Sequence, residues 1–212
     1  MLRIRKLTSQ DIPLGMRLKT QASWNQRAQD WLRFLDMQPD GCFVGEWNAQ
    51  AVATAVTCVF GQVAWVAMLL VDQQHRRRGI GGAMMRQALE HLQSQSIRSI
   101  RLDATPLGRP IYATLGFKSQ FELARYAGTA CLGAEGTRVS DQDRGPVEQA
   151  VLPLQPLDVD AMLTLDRSVT LYDRRKFLQR LLEEWPDATR HARPEDGLGG
   201  FVLSRRGSQA IQ

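Results

Sequence analysis

Apolar and polar residues alternate over residues 2–7, the pattern of a short strand with one buried face. Asp11 stands where it can cap a helix over Ile12–Gln21, with Pro13 tolerated in the first turn. A second helix is predicted around residues 26–36, with Trp31, Phe34 and Leu35 on one face. Pro39-Asp40-Gly41 is turn chemistry. Three strands then follow at Cys42–Trp47, residues 51–60 and Val63–Val71, joined by hairpins at Asn48-Ala49 and Gly61-Gln62. The last of them, VAWVAMLLV, is apolar on both faces and so belongs in the middle of a sheet.

Here the period changes. Ile80, Met84, Ala88 and Leu92 recur every four residues, and Met85 and Leu89 widen the stripe, so residues 79–95 form an amphipathic helix. A strand at 97–104, a short helix at 109–115 and a strand at 117–126 complete an α/β unit whose sheet is mixed but mostly antiparallel and flanked by helices. Residues 129–150 have no periodicity and read as a linker between a first domain, 1–128, and a second part, 151–212. That second part repeats the opening: compare LRIRKLTSQDI with AVLPLQPLDVD. It supplies a strand at 151–154, helices at 158–167 and 174–185, and a strand at 200–205. It is therefore a partial second α/β copy. Its apolar GFVL strand needs a partner, which predicts packing on the first domain or pairing across a homodimer.

Composition narrows the classes. Hydrophobic residues make up 43% of the 212 and charged residues 23%, as in a globular chain. No apolar run is long enough to span a bilayer, and the basic start lacks an apolar stretch behind it, so neither a membrane protein nor a secreted one is expected. Cys42, Cys58 and Cys131 lie far apart without a CxxC pair, which fits a reducing cytoplasm and excludes a zinc ribbon. The three histidines are scattered singly, so no metal is expected. Residues 1–128 hold 16 Lys/Arg against 9 Asp/Glu, while 129–212 hold 11 against 13. The positive surplus lies wholly in the first part. It suits nucleic acid, an anionic membrane or a phosphorylated ligand alike. Nucleic acid would further need aromatic platforms or a recognition helix, and neither is visible.

The segment LLVDQQHRRRGIGGAMM decides among them. Gly79, Gly81 and Gly82 leave backbone N–H groups uncovered at a helix N-terminus, where unpaired donors and the helix dipole favour a phosphate. Arg76, Arg77 and Arg78 add positive charge just before it. A Walker loop would need Lys-Ser or Lys-Thr where Gly82-Ala83 stand, and a dinucleotide fingerprint would need glycine at Met84. The run Arg76-Arg77-Arg78-Gly79-Ile80-Gly81 does resemble the CoA-binding motif of the GNAT superfamily of N-acetyltransferases, Arg/Gln-x-x-Gly-x-Gly/Ala. Farther on, DATPLGRPIYATLGF resembles that family's second motif through Tyr112, Gly116 and Phe117. WNQ at 24–26, PDGCFVGE and LDAT look like a group within it that has two tandem domains, the second incomplete here.

The resemblance implies an acetyl-CoA-dependent N-acetyltransferase acting on a primary amine of a small molecule, by direct attack in a ternary complex. The alternative is a non-catalytic CoA-binding regulatory or sensory module. In the first reading acetyl-CoA lies against Leu69, Val71, Arg76 to Arg78, Gly79, Ile80, Gly81, Gly82 and Thr105. Tyr112 protonates the departing thiolate, Asp103 is the candidate base, and Trp24 and Asn25 line the acceptor pocket. Thr105 and Gly108 replace an Asn and an Ala frequent in the family. The carboxylate that some members carry on the strand before the CoA loop is absent here from residues 65–71.

Overall fold

In the computed structural model, residues 1–124, 151–186, 189–192 and 198–208 are described. The strands β1 (Leu2–Lys6), β2 (Cys42–Trp47), β3 (Gln50–Phe60) and β4 (Val63–Val71) pair antiparallel in chain order. A short β5 (Ser99–Arg101) joins β4 in parallel, giving the order β1-β2-β3-β4-β5. The β2–β3 hairpin turns at Asn48 and Ala49, both at positive φ (50° and 65°), the primed turn whose twist matches that of paired strands. The mixed, mostly antiparallel α/β sheet expected from the sequence is therefore the one that forms.

Helices cover both faces of this sheet. On one lie α1 (Ile12–Gln21) and α2 (Ala28–Met37), packing Leu18, Trp31 and Phe34 against Val44, Val56 and Met68. On the other lie α3 (Ile80–Gln93) and α4 (Arg109–Thr114), packing Ile80, Met84, Ala88 and Tyr112 against Val52, Ala64 and Val66. The stripe read from the sequence is the buried one: Met84, Ala88 and Leu92 are wholly inaccessible.

The second part makes its own antiparallel sheet from β6 (Val151–Pro153), β7 (Thr189–Ala192) and β8 (Gly200–Leu203), in the order β6-β7-β8. Helices α5 (Val159–Thr170) and α6 (Arg175–Glu184) pack on it through Met162, Leu163 and Leu178. Thr8 to Asp11 and Gln155 to Asp158 each form a capped turn between a strand and a helix.

The two parts are in contact. Phe60 and Trp65 of the first sheet meet Tyr172 and Phe177 of the second part, with ring centroids 5.6–5.9 Å apart. Arg33 of α2 pairs with Glu184, and Arg205 pairs with Asp30 at 2.9 Å. The stretch after β8 crosses the α1–α2 connection: Ser208 N–H donates to Asn25 O (3.0 Å) and Lys19 Nζ donates to Ser208 Oγ (2.8 Å). GFVL thus finds its partner in β7, within the second part's own sheet.

Three expectations change. Residues 117–124 form no strand, and 125–126 lie outside the described residues, as do Cys131 and the linker at 129–150. Phe117 instead folds back on Tyr112, its N–H donating to Tyr112 O at 3.1 Å, while Phe121 and Leu123 stay exposed. The strand expected at 97–104 shrinks to three residues because β4 turns away from it. β7 was not foreseen, since TRHA is too short and too polar to show a period of two. Among the described residues no helix is long and apolar enough to cross a membrane, and no cluster of three or more His, Cys, Asp or Glu could hold a metal.

Candidate active site

The site begins with an irregularity in β4. Thr54 pairs with Leu70 but Val56 pairs with Ala67, so β4 carries one extra residue at this point. Met68 takes it up at φ 49°, and its carbonyl accepts a hydrogen bond from the Thr54 hydroxyl at 2.9 Å. The bulge resets the alternation. Ala64 and Val66 face α3, Trp65, Ala67 and Met68 face α2, and Leu69 and Val71 return to the α3 side.

Beyond the bulge β4 has no partner on its outer edge among the described residues. It pairs with β5 only through residues 63–65 against 99–101. The two then part around a cavity of about 860 Å³, lined by residues 66–69 on one side and Leu102, Asp103, Ala104 and Thr105 on the other. Because the lining draws on both core clusters, Phe34 and Met68 from one and Leu69 and Tyr112 from the other, the cavity passes through the sheet.

At the α3 end, Gly79 sits at φ +75°, a left-handed backbone that lets the loop turn directly into the helix. No side chain caps α3. Its first N–H groups are therefore open to an anion, and three exposed arginines surround them. Arg76 Nε donates to Val71 O (3.2 Å), Arg78 Nη2 donates to Gln74 O (3.4 Å), and Arg77 stands at φ 61°. A Cβ at Gly81 would lie 3.7 Å from Val71 Cγ2 and 3.9 Å from Leu69 Cδ2, so these three residues share one corner. Gly82 faces Arg86, and Ile80 is buried beneath the loop. The loop is fixed from below by Asp72, whose carboxylate accepts from Gln74 N–H (3.0 Å) and from Gln21 of α1 (3.3 Å). Basic charge, open helix N–H groups and an unpaired strand edge fit CoA.

Tyr112 lines the cavity from α4. A Cβ at Gly108 would come within 2.7 Å of Tyr112 Cε2, so the ring lies directly over that glycine. Burial pushes the phenol above its ordinary value of 10.0. Thr105 turns inward to its own loop, its Oγ1 accepting from Gly108 N–H at 3.3 Å. Asp103 is an exposed carboxylate on the cavity wall. Trp24 also lines the cavity, but Asn25 is not among the lining residues. Its side chain lies against Gly207, where a Cβ would stand 2.0 Å from Asn25 Nδ2. Burial raises the Cys42 and Cys58 thiols to about 12, so neither is a nucleophile.

A sequence profile of the Acetyltransferase (GNAT) family matches residues 9–117. The chain belongs to the GNAT family of acetyltransferases. It is 28% identical over 148 residues to YitH of Bacillus subtilis, an uncharacterized N-acetyltransferase, across 65% of this chain and 50% of that protein. The chain thus spans about half the length of that curated relative. Its fold is similar to that of a candidate acetyltransferase from Pyrococcus horikoshii, with a TM-score of 0.65 and 18% identity over 95% of this chain and 71% of the other. It is also similar to Ard1 of Thermoplasma volcanium, with a TM-score of 0.53 and 22% identity over 57% of this chain and 84% of the other. The likeness in fold to the Pyrococcus protein takes in the second sheet as well as the first.

Sequence reasoning missed much of this cavity. The bulge at Met68 left no trace, because every residue around it is apolar. Gln26, Asp30, Arg33, Phe177, Leu181, Leu203 and Arg205 also line the cavity. Of these Gln26 stood in the WNQ run, and Arg33 carried a signal as a charge set among the apolar residues of WLRFL that is 3% exposed once folded.

Proposed function

We propose that the protein transfers an acetyl group from acetyl-CoA to a primary amine of a small molecule, by direct attack in a ternary complex. The observation that carries this reading is the parting of β4 and β5 between the open N-terminus of α3 and Tyr112. The CoA phosphates meet the α3 N–H groups and Arg76 to Arg78. The pantetheine arm pairs with the free edge of β4 near Leu69 and Val71 as an added strand would. A backbone N–H of that edge holds the thioester oxygen as it becomes an oxyanion.

The amine nitrogen then attacks the carbonyl carbon, and the carbon–sulfur bond breaks. Asp103 takes the proton that the amine loses, through water, and Tyr112 supplies one to the CoA thiolate. A buried phenol held above 10 keeps its proton through neutral pH, as an acid must. The segment after β8 lies across the α1–α2 connection beside Trp24, which favours a small acceptor over a protein chain. Residues 151–212 read as the front of a second domain of the same kind, without a CoA loop of its own.

Calorimetry with acetyl-CoA, followed by thiol release with a panel of amines, tests the reading. Micromolar binding with amine-dependent thiol release is expected. Binding without release would mean a CoA-binding module, and no binding would end both readings.

A further inference from the structure

The α2 side of the cavity is built jointly by the two parts of the chain, and the surface it offers a ligand is apolar. Trp24 and Trp65 come from the first part and Phe177, Leu181 and Leu203 from the second, and the fold leaves each of them only part-buried. Two of the rings are pinned by contacts between the parts: Trp65 lies 5.6 Å from Tyr172, and Phe177 meets Phe60 edge-on at 5.9 Å. The wall is therefore in place before any ligand arrives. An apolar body that covers it removes aromatic surface from water without ordering those rings anew.

The charges beside this wall neutralise one another. Arg33 donates from Nη1 to Asp30 at 3.0 Å and from Nε to Glu184 at 3.1 Å, and its Nη2 also holds Glu184. Its guanidinium lies over the Phe177 ring, 5.9 Å from the centroid. Arg205 pairs with Asp30 at 2.9 Å, and Arg180 pairs with Glu183 (3.4 Å) and Glu184 (3.2 Å). Three guanidinium groups thus stand against three carboxylates, and Asp30 accepts the Arg27 N–H besides (2.8 Å). The buried Gln26 Oε1, left without a hydrogen-bond partner, is an acceptor, which a carboxylate or phosphate on a ligand cannot satisfy. A second charge of either sign on the ligand would leave water for a wall whose opposite charges are already paired, and such burial is costly. Asp103, the other charged side chain lining the cavity among the described residues, stands on the β5 side, where the reacting amine loses its proton in the mechanism proposed above.

Resting on that acetyl transfer, we infer that the acceptor is a primary amine carried on an uncharged apolar body, aromatic or aliphatic, that lies against Trp24, Trp65 and Phe177. The test uses amines that differ only away from the reacting nitrogen. Hexylamine is set against ε-aminocaproic acid and hexamethylenediamine, and para-methylbenzylamine against para-aminomethylbenzoic acid and para-xylylenediamine. A third series runs from propylamine to hexylamine.

The neutral amine of at least one of the first two series should exceed both charged partners about tenfold or more in kcat/KM. From propylamine to hexylamine kcat/KM should rise about two- to fourfold per methylene, chiefly through KM. Leu181→Gln should flatten that rise by raising the KM for hexylamine, with acetyl-CoA affinity and melting temperature checked alongside; if the variant fails to fold, the wild-type series decides alone. A charged partner that equals or exceeds the neutral amine in both series, or a flat chain-length series, overturns the inference and leaves acetyl transfer standing. So does an unchanged hexylamine KM in the folded variant, or activity confined to peptide amines. Acetyl-CoA binding with no turnover of any amine overturns both.

Discussion

The α3 side of the site comes from two short runs of chain, 66–81 with its glycine loop and 102–112, whereas the cavity wall that faces α2 is assembled from 24–34, 65, 177–181 and 203–205. The first is held by local devices: a bulge, a left-handed glycine, and a ring resting on a glycine one turn earlier. The second is held by ion pairs and aromatic contacts between residues far apart in sequence. One wall is therefore a motif and the other a product of packing, and the two should fail in different ways when mutated.

The largest effect is expected on the packed wall. Glu184→Ala leaves the buried Arg33 guanidinium with Asp30 alone, and breaking such a pair costs about 3 kcal/mol. Urea titration should show that loss, while acetyl-CoA affinity below the transition stays near wild type. Unchanged stability would mean the two walls are not held differently. Tyr112→Phe should do the reverse, lowering kcat about 10²-fold at constant stability and with little change in the KM for acetyl-CoA. Its pH profile sharpens the point. Because burial raises the phenol, the acid stays protonated below its ordinary value of 10.0, so the falling limb of kcat that depends on Tyr112 lies above that pH. A Tyr112-dependent limb near neutrality would remove Tyr112 from the role.

Gly108→Ala is a finer probe of the local wall. The added methyl would meet Tyr112 Cε2 at 2.7 Å and must push the ring aside. A displacement near 1 Å can cost up to about 10²-fold, so a loss of about tenfold in kcat is expected, read in the same thiol-release assay. The smallest effect belongs to the exposed charges. Arg77→Ala with Arg78→Ala should weaken acetyl-CoA about three- to tenfold at low salt, with the difference fading as ionic strength rises. A salt-independent loss would point to a disturbed loop instead.

The same contrast explains what could be read from the sequence. The helices and strands of the first sheet were legible because each buries one periodic stripe, as Ile80, Met84, Ala88 and Leu92 do. The glycine-rich loop at the start of α3 was legible because its residues are contiguous. The repeated strand, turn and helix at Asp11 and Asp158 could be seen for the same reason. The bulge was hidden because VAWVAMLLV offers nothing but apolar side chains on either register. Arg205 and Phe177 were hidden because their partners, Asp30 and Phe60, are set by the docking of α6 and β8 rather than by any local spacing. Residues 117–124 misled because Phe117 and Phe121 alternate with polar neighbours as a strand would, yet β5 is too short to pair with them.

A cavity that pierces the sheet has a consequence for the traffic of ligands. If the thioester enters from the α3 side and the amine from the α2 side, the two never queue at a shared doorway. Neither has to arrive first, and either product can leave while the other is still in place. In steady-state terms, free CoA should compete with acetyl-CoA alone, and the acetylated product with the amine alone.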